Sequence, residues 1–600
     1  MERRLEMKHE IWTQGIARLF FYALAGWWII GISCSTLFGD EYAVQVEPGV
    51  HVKLRDGIQL VADIYRPIAD GRFPVLLERT PYNRAGESAM AHSLASNGYV
   101  VVIQDTRGRF DSDGEFYPFR NESQDGYDTV EWAAELDYSN GRVGMFGGSY
   151  VGATQMLAAI SKPPHLVTIF PYVTASEYYD GWTYQSGALM QWFASSWSSG
   201  LSVDTLRRKA AAGIRARQGV NQLPVENYVH LNLPAVSELA SYFKDWVEHE
   251  TDDAYWKPWK ISDHYSEISI KALHAGGWHD IFEKGTIANY IGIHRSAATP
   301  EAREGQRLLM GPWAHATTSP EGKIGEVVFG KEAVLDMRQT TLRWSDYALK
   351  NIQNEFAAGP PVRIFVMGEN VWRDEREFPL ERSRMTAYYL HASQGANGAS
   401  GDGRLSTDAP GAEKPDQFKY DPANPVPTIG GRLCCGNELS PGPADQRPNE
   451  ARPDVLVFST APLSQDVEVT GFITLDLYAG STAKDTDFTA MLVDVDPGGY
   501  ARYLTDGIAR GRYRVSTSQA ELLVPGEIYH YTIDLWATSN VFKKGHRVRL
   551  YVSSSNFPRF NRNLNTGEKI EGGTRMITAT QRIFHDSAHA SVLNLPVVPR

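Results

Sequence analysis

The 600-residue sequence has little cysteine and no long basic run. Its three cysteines, Cys34, Cys434 and Cys435, are too few for a disulfide framework, and no spacing of Cys and His is typical of a zinc site. Acidic residues outnumber basic ones 71 to 59, so a surface that binds nucleic acid is not expected. The apolar share of 42% and the charged share of 22% are those of a globular chain.

An uncharged segment near the amino end stands apart from this globular pattern. Residues 19–39 carry no formal charge and follow four basic residues, as in a secretory signal. We therefore expect residues 1–39 to be a signal peptide or membrane anchor, and the protein to be exported to the periplasm or beyond. Any membrane contact is expected through this segment alone. Cleavage, lipidation at Cys34 and retention stay open, and a buried hydrophobic helix is the alternative.

The chain after this segment alternates between strand and helix patterns. Polar and apolar residues alternate around Asp56-Gly57, which predicts a β-hairpin. Continuous apolar runs then predict strands buried on both faces, as in a parallel sheet. These runs are 74–77, 99–103, 143–146, 166–170, 272–276 and 307–310. The pattern predicts an α/β domain built from residues 45–176 and 261–360, interrupted by a helical cap at 177–260.

Beyond about residue 360 the helical signals give way to segments of period two, such as 467–477 and 547–552. Such segments, separated by Gly, Pro and Asn, are typical of an antiparallel sandwich or jelly roll. We expect residues 361–600 to form this domain, with long loops between 393 and 445.

Ser149 lies between a buried-type strand and an Ala-rich helix, in the string Gly-Gly-Ser-Tyr-Val-Gly at 147–152. This context is typical of a nucleophile elbow, although the second glycine falls one residue later than in Gly-x-Ser-x-Gly. A capping serine in a glycine-rich turn is the alternative.

A serine nucleophile needs a histidine base and a carboxylate that orients it. In doubly wound sheets these partners follow later strands, in the order Ser, Asp, His. Asp280 and His315 each follow a predicted strand at its carboxyl end, where ligands bind in such sheets. His279 is the rival base, and His274, inside a predicted strand, is expected to be a core histidine.

Several separate motifs carry a family resemblance. They are Thr80-Pro81-Tyr82, Gln104 to Gly108, Gly147 to Gly152, Gly277 to Asp280, Gly311 to His315, Pro443 to Pro448, Asp485 to Thr489 and Ser553 to Pro558. Together they resemble the cocaine-esterase-like hydrolases of the CocE/NonD family, from about residue 45 to the end. The resemblance implies an α/β-hydrolase domain with an inserted helical cap and a C-terminal β jelly-roll domain.

By motif position the resemblance also implies roles for five residues. Ser149 would be the nucleophile, His315 the general base and Asp280 its orienting carboxylate. The Tyr82 hydroxyl and the backbone N–H of Tyr150 would hold the oxyanion, with a half-buried core tyrosine as the alternative for Tyr82.

Five cap aromatics are candidates for an acyl or aryl pocket, with a place in the core as the alternative: Trp182, Tyr184, Trp192, Phe193 and Trp197. Asp105 and Arg107 are expected to form a structural ion pair at a strand end. The amino-acid ester hydrolases carry two adjacent acidic residues after a similar Asp-Gly-Trp. No such pair follows Asp180, so the sequence does not support recognition of a substrate ammonium group.

The sequence therefore predicts a serine hydrolase of small-molecule carboxylic esters, with amides as a further substrate class, acting through an acyl-enzyme without metal or organic cofactor. An X-Pro dipeptidyl peptidase or acylase is the first alternative. An inactive jelly-roll binding protein is the second. The oligomeric state is open, and a homodimer is compatible with the sequence.

Overall fold

The computed structural model describes residues 41–208, 239–315, 319–570 and 572–600. The predicted export segment at 1–39 lies outside these residues. Among the helices that are described, none is long and apolar enough to cross a membrane.

The first part of the chain contains fourteen described strands. They are β1 (Val44–Lys53), β2 (Gln59–Pro67), β3 (Phe73–Thr80), β4 (Val100–Asp105), β5 (Ser139–Gly148), β6 (Leu166–Tyr172), β7 (Tyr184–Gln185), β8 (Ala188–Leu189), β9 (Lys271–Gly277), β10 (Gln306–Gly311), β11 (Lys323–Ile324), β12 (Val327–Val328), β13 (Val362–Val366) and β14 (Val371–Glu375).

The described helices of the same part are α1 (Ser88–Ser96), α2 (Glu122–Ala134), α3 (Tyr150–Ile160), α4 (Gln191–Arg208), α5 (Ser241–Glu248), α6 (Glu283–Ser296), α7 (Pro300–Glu304), α8 (Met337–Lys350) and α9 (Glu355–Ala358). Short 3₁₀ turns lie at Arg84–Glu87, Lys257–Trp259, Ile261–Glu267 and Lys331–Ala333.

Ten of these strands form one sheet in the order β1-β2-β4-β3-β5-β6-β9-β10-β13-β14. Neighbours from β4 to β13 pair in parallel. The antiparallel pairs are β1 with β2, β2 with β4, and β13 with β14. The predicted α/β class is confirmed, as is the hairpin around Asp56-Gly57, where Lys53 pairs with Gln59. The sheet continues to Glu375, past the expected boundary at 360, because β14 folds back onto β13.

The central strands and α3 are covered on all sides. Val100–Asp105 is buried at every position, and nearly every residue of α3 is buried as well. A helix that is apolar all round belongs in a core. The amino end of α3 is thereby held against the carboxyl end of β5.

The expected cap region contains α4 and α5, which pack through a cluster of aromatic rings. Residues 209–238 of the expected cap lie outside the described residues. Trp197 stacks on Trp246 with a centroid distance of 6.0 Å, and on Tyr150 of α3 at 5.7 Å. Aromatic stacking therefore joins both cap helices to the helix that follows Ser149.

The C-terminal part is built mostly of strands, as expected. These are β15 (Arg384–His391), β16 (Arg404–Ser406), β17 (Asp416–Tyr420), β18 (Leu456–Ser459), β19 (Val467–Ser481), β20 (Asp487–Val495), β21 (Ala501–Arg510), β22 (Ile528–Phe542), β23 (Arg547–Ser553), β24 (Ala579–Phe584) and β25 (Val592–Val598), with a single-turn α10 at Arg447–Glu450.

These strands form one sheet in the order β17-β24-β19-β25-β15-β16-β18-β23-β20-β21, with β22 paired to β19. All pairs are antiparallel except β16 with β18. The all-strand character is confirmed, whereas the jelly-roll order stays a prediction. The expected long loops at 393–445 contain two short strands, β16 and β17.

The prediction of an ion pair between Asp105 and Arg107 is wrong, because each residue binds a different partner. Asp105 accepts hydrogen bonds from the backbone and guanidinium of Arg84. Arg107 turns to α2 and binds Asp125, with its closest nitrogen 2.6 Å from a carboxylate oxygen. Both side chains still act structurally: Asp105 ties the Arg84 turn to β4, and Arg107 ties its own loop to α2.

His274 is a core histidine, as expected. It is buried in β9, and its Nε2 lies 3.0 Å from Oε1 of Gln306. Burial lowers the pKa of His274 to about 4, because the charged imidazolium loses its water.

Stability should therefore fall in mild acid. The unfolded chain takes up a proton at His274 below its ordinary pKa of 6.5, whereas the folded chain does so only near pH 4. Between pH 7 and pH 5 this site should remove about 2 kcal/mol from the free energy of unfolding, measured by urea titration followed by tryptophan fluorescence.

Between pH 7 and pH 5, the free energy of unfolding of His274→Gln should fall by about 2 kcal/mol less than that of wild type. His294→Gln, at an exposed histidine, is the matched control for the substitution itself. Equal pH dependence of wild type and His274→Gln would contradict the assignment.

Candidate active site

Ser149 lies at a sharp turn between β5 and α3. Its backbone has φ 59° and ψ −127°, a left-handed conformation that is strained for a residue other than glycine. The Ser149 N–H donates to the carbonyl of Tyr172 at 2.9 Å, which fixes the turn against β6. The turn presents the hydroxyl above the carboxyl end of the sheet, as in a nucleophile elbow.

The glycines on either side of Ser149 are needed for space. A Cβ on Gly148 would lie 2.1 Å from the Tyr172 ring, and one on Gly147 would lie 2.2 Å from Val151. Val151 occupies the position where Gly-x-Ser-x-Gly has its second glycine, and it packs over Gly147. Because Gly147 has no side chain, the turn has room for Val151 in place of the second glycine of the motif.

Asp280 and His315 lie on two loops that pair through their backbones. The N–H of Trp278 donates to the carbonyl of Gly311, and the N–H of His279 donates to that of Trp313, both at 2.9 Å. A Cβ on Gly277 would lie 2.1 Å from the Trp313 oxygen, so this approach requires glycine.

A chain of hydrogen bonds joins the three side chains. His315 Nε2 lies 2.9 Å from Ser149 Oγ, and His315 Nδ1 lies 2.9 Å from Asp280 Oδ2. Asp280 is fully buried, and its other oxygen accepts from the N–H of Phe282. This is the arrangement in which an imidazole withdraws a proton from a hydroxyl while a carboxylate fixes its tautomer.

His279, the rival base, is held away from Ser149. Its ring is fully buried near Phe329 and Tyr503, with centroid distances of 6.4 and 5.9 Å. Burial lowers the pKa of His279 well below its ordinary value, so the imidazole is neutral. Asp280, the next residue, is instead bonded to His315.

Tyr82 and Tyr150 approach Ser149 in different ways. The Tyr82 hydroxyl accepts a hydrogen bond from Trp197 Nε1 at 2.9 Å and borders the same cavity as Ser149. The Tyr150 hydroxyl points away and donates to Glu122 at 2.9 Å. The backbone N–H of Tyr150 belongs to the first turn of α3, where N–H groups lack an intrahelical acceptor.

A cavity of about 530 Å³ opens over Ser149 and His315. Its wall is largely apolar and includes one face of α4. The lining residues are Tyr82, Arg109, Phe110, Ser149, Ser196, Trp197, Gly200, Leu201, Val203, Asp204, Arg207, His315 and Cys435. Sequence reasoning missed most of them, although the spacing of 197, 200, 201 and 204 along α4 marks one helix face.

Trp182, Trp192 and Phe193 do not line this cavity and instead lie buried in the cap. Trp182 stacks flat on Phe282 at 4.2 Å, and Phe193 meets the edge of that pair. Phe282 in turn lies edge-on to His315 at 5.1 Å. Trp182 and Phe193 therefore support the histidine through Phe282, from behind the cavity wall.

Cys434 and Cys435 form a disulfide between adjacent residues beside the site. The ligand atoms of His315 and both cysteines lie within 4.8 Å of one another. Since 118 residues lie between His315 and Cys434, no spacing pattern in the sequence could indicate this neighbourhood.

A buried ion pair connects the C-terminal strands to the Asp280 loop. Arg432 donates to Glu283 at 2.8 Å, and both side chains are completely buried. Glu283 begins the helix three residues after Asp280, and its other oxygen accepts from the N–H of Ala537. The loop that carries Asp280 is therefore held in place by the C-terminal domain as well as by its own sheet.

The parallel sheet, the elbow and the hydrogen-bonded Ser, His and Asp side chains define a serine hydrolase of the α/β-hydrolase fold.

The sequence matches two family models. Residues 56–317 match the X-Pro dipeptidyl-peptidase (S15 family), and residues 354–594 match the X-Pro dipeptidyl-peptidase C-terminal non-catalytic domain. The chain is 38% identical over 577 residues to the cocaine esterase of a Rhodococcus species, covering 92% of this chain and 99% of that one. It thus belongs to the cocaine-esterase family of serine hydrolases, as the sequence resemblance predicted.

Two solved structures share its fold. An α-amino acid ester hydrolase superposes with a TM-score of 0.79 at 26% identity, covering 94% of this chain and 99% of the other. An aminopeptidase from a marine-sediment thaumarchaeon also gives 0.79, at 24% identity and with coverage of 95% and 99%. The second likeness concerns the fold alone.

Proposed function

We propose that this enzyme hydrolyses carboxylic esters whose acyl group carries no charge. Ser149 acts as nucleophile, His315 as general base and Asp280 as the carboxylate that orients it. The observation that carries the proposal is the pair of 2.9 Å hydrogen bonds that links Ser149, His315 and Asp280. Neither a metal nor an organic cofactor takes part in the steps below.

The first half-reaction transfers the acyl group to the enzyme. His315 Nε2 takes the hydroxyl proton as Ser149 Oγ attacks the ester carbonyl, and Asp280 stabilises the imidazolium that results. His315 then returns the proton to the leaving alkoxide as the ester bond breaks. In the second half-reaction water repeats these steps on the acyl-enzyme and releases the acid.

Two donors would hold the oxyanion of each tetrahedral intermediate. The first is the Tyr150 N–H, at the positive end of α3, and the second is the Tyr82 hydroxyl. Desolvation raises the pKa of the Tyr82 phenol, and its hydrogen bonds with Trp197 and Ser149 oppose that shift. Tyr82 therefore keeps its proton at neutral pH and can donate it in a hydrogen bond.

The charges around the cavity favour uncharged acyl groups over substrates with a free ammonium group. Among the described lining residues the one carboxylate is Asp204, which accepts from the N–H of Phe110 at 3.0 Å and lies 3.8 Å from Arg109. Asp180, the acid at the amino-acid ester hydrolase motif, pairs with Lys284 at 2.7 Å. Both carboxylates are already compensated, so a substrate cation would gain little there.

An X-Pro dipeptidyl peptidase is the second candidate, favoured by the family match over residues 56–317. It would need an accessible carboxylate for the peptide amino group. The compensation of Asp204 and Asp180 is the observation that ranks it below the esterase.

Export is the remaining part of the proposal, and it rests on the sequence. The uncharged residues 19–39 and the basic residues before them support translocation, with the enzyme then acting outside the cytoplasm.

Ser149→Ala should abolish hydrolysis of p-nitrophenyl acetate and labelling by a fluorophosphonate probe, because both need the Oγ atom. Wild type should be labelled at one site, which peptide mass mapping locates. An unlabelled wild-type protein would support the inactive binding protein instead. Ser196→Ala, which changes a cavity serine outside the hydrogen-bond chain, is the matched control and should keep the labelling.

Tyr82→Phe should lower kcat by about 10²-fold, because one donor to the oxyanion is lost while the ring remains. KM should change little, since the hydroxyl is expected to act on the transition state. Steady-state kinetics with p-nitrophenyl acetate measures both quantities. A kcat within twofold of wild type would remove Tyr82 from the oxyanion site.

Esters of uncharged acids should be turned over at least tenfold faster, by kcat/KM, than glycyl-prolyl p-nitroanilide. Both substrates release a chromophore, so one spectrophotometer measures both. Asp204→Asn is an informative variant. If Asp204 holds the ammonium group of a substrate, this variant should lose anilide activity and keep ester activity. A preference for the anilide in wild type would reverse the ranking.

A further inference from the structure

The disulfide between Cys434 and Cys435 lies at the wall of the proposed catalytic site. Cys435 lines the cavity that contains Ser149 and His315, whereas Cys434 is 7% exposed. The sulfur atoms and a ring nitrogen of His315 lie within 4.8 Å of one another. A small reagent that reaches Ser149 therefore also reaches this sulfur pair.

The segment that carries the two cysteines is anchored on both sides. Arg432 is held by its buried ion pair with Glu283, and its carbonyl accepts a hydrogen bond from Arg559. On the other side, a Cβ on Gly436 would lie 2.3 Å from the Trp192 ring. None of these contacts involves the S–S bond, so we expect the two thiols to stay beside His315 when the bond opens.

His315 also has the surroundings of a metal-binding histidine. Its Nδ1 is bound to a buried carboxylate, Asp280, at 2.9 Å. Histidines that bind a metal through one nitrogen commonly donate the other N–H to such a carboxylate, which fixes the ring and makes the free nitrogen a stronger ligand. Nε2 is the nitrogen that would remain for a metal.

We propose that reduction of the disulfide creates a site for a soft divalent cation such as Zn²⁺, bound by Cys434, Cys435 and Nε2 of His315. Zinc takes thiolates at about 2.3 Å and imidazole at about 2.0 Å, so ligand atoms lie roughly 3.5 Å apart. From separations of at most 4.8 Å, rotation of the cysteine side chains brings the atoms to that spacing. The fourth position faces the cavity and takes water.

The metal would act as an inhibitor, because it occupies the nitrogen that binds Ser149 Oγ. This consequence rests on the proposed function, whereas metal binding does not. The redox step is a two-electron reduction: the S–S bond breaks, and a dithiol reductant supplies two electrons and two protons as it becomes a disulfide. The two thiols release their protons when the metal binds.

The binding test uses the full chain with Cys34→Ser, so that all remaining thiols belong to the pair. The protein is reduced with a trialkylphosphine, which becomes its oxide with oxygen from water, and is then titrated with ZnCl₂ or CoCl₂ alone. We expect one zinc per reduced chain, and with cobalt an absorption band from thiolate ligands. The oxidised chain should bind at least tenfold more weakly.

Three variants assign the ligands without reference to activity. Adding Ser149→Ala should leave zinc binding intact, whereas His315→Gln and the pair Cys434→Ser with Cys435→Ser should each weaken it at least tenfold. Circular dichroism verifies the fold of each variant, and the single Cys435→Ser variant replaces the pair if the pair does not fold. Equal zinc affinity of the reduced and oxidised chains, or of His315→Gln and its parent, would overturn the proposal.

Inhibition is measured as the ratio of ester hydrolysis with and without one equivalent of zinc. The ratio should fall at least tenfold for the reduced enzyme, recover with EDTA, and stay near one for the oxidised enzyme. Zinc binding without inhibition would overturn the ligand role of His315. If no form hydrolyses esters, the proposed function fails, and the metal titration alone decides the zinc site.

Discussion

The backbone pairing of the loops after β9 and β10 is the constraint on which the site depends. Two hydrogen bonds join these loops, and Gly277 allows the close contact with Trp313. Asp280 is fully buried, and a buried carboxylate is costly unless it is well bonded. Its partners, the His315 ring and the Phe282 N–H, are both supplied by these paired loops.

The C-terminal strands contribute to the same constraint. Arg432 and Glu283 form a completely buried ion pair, and Arg432 also lies over the Trp536 ring. Removing one member of such a pair leaves an uncompensated charge, at a cost of about 3–5 kcal/mol. The two domains therefore share the task of fixing the Asp280 loop, although the C-terminal family model is described as non-catalytic.

Much of this architecture could be predicted from local sequence patterns. The buried strands have continuous apolar runs, and the hairpin at Asp56-Gly57 has its turn residues, so periodicity was sufficient for both. The strand ends marked Ser149, Asp280 and His315 as candidates, and the family resemblance assigned their roles. The structure brings these side chains together. Their roles stay predictions until the variants are measured.

The errors concern side-chain partners that depend on three-dimensional packing. Asp105 and Arg107 are near in sequence, yet Arg84 and Asp125 come closer in space. The cap aromatics Trp182, Trp192 and Phe193 are buried in the core, and the packing that buries them is not visible in the local sequence pattern. The nearness of His315 to two cysteines more than a hundred residues away follows only from the docking of the two domains.

Ser149 and His315 line the cavity, but much of the remaining wall comes from a different part of the molecule. Helix α4 supplies Trp197, Leu201 and Asp204 to the wall, whereas Asp280 and His315 come from loops of the sheet. Substitutions at Leu201 and Val203 of that helix can reshape the binding space, whereas Trp197 is also bonded to Tyr82. Such a division lets related enzymes diverge toward new acyl groups through small, independent evolutionary steps.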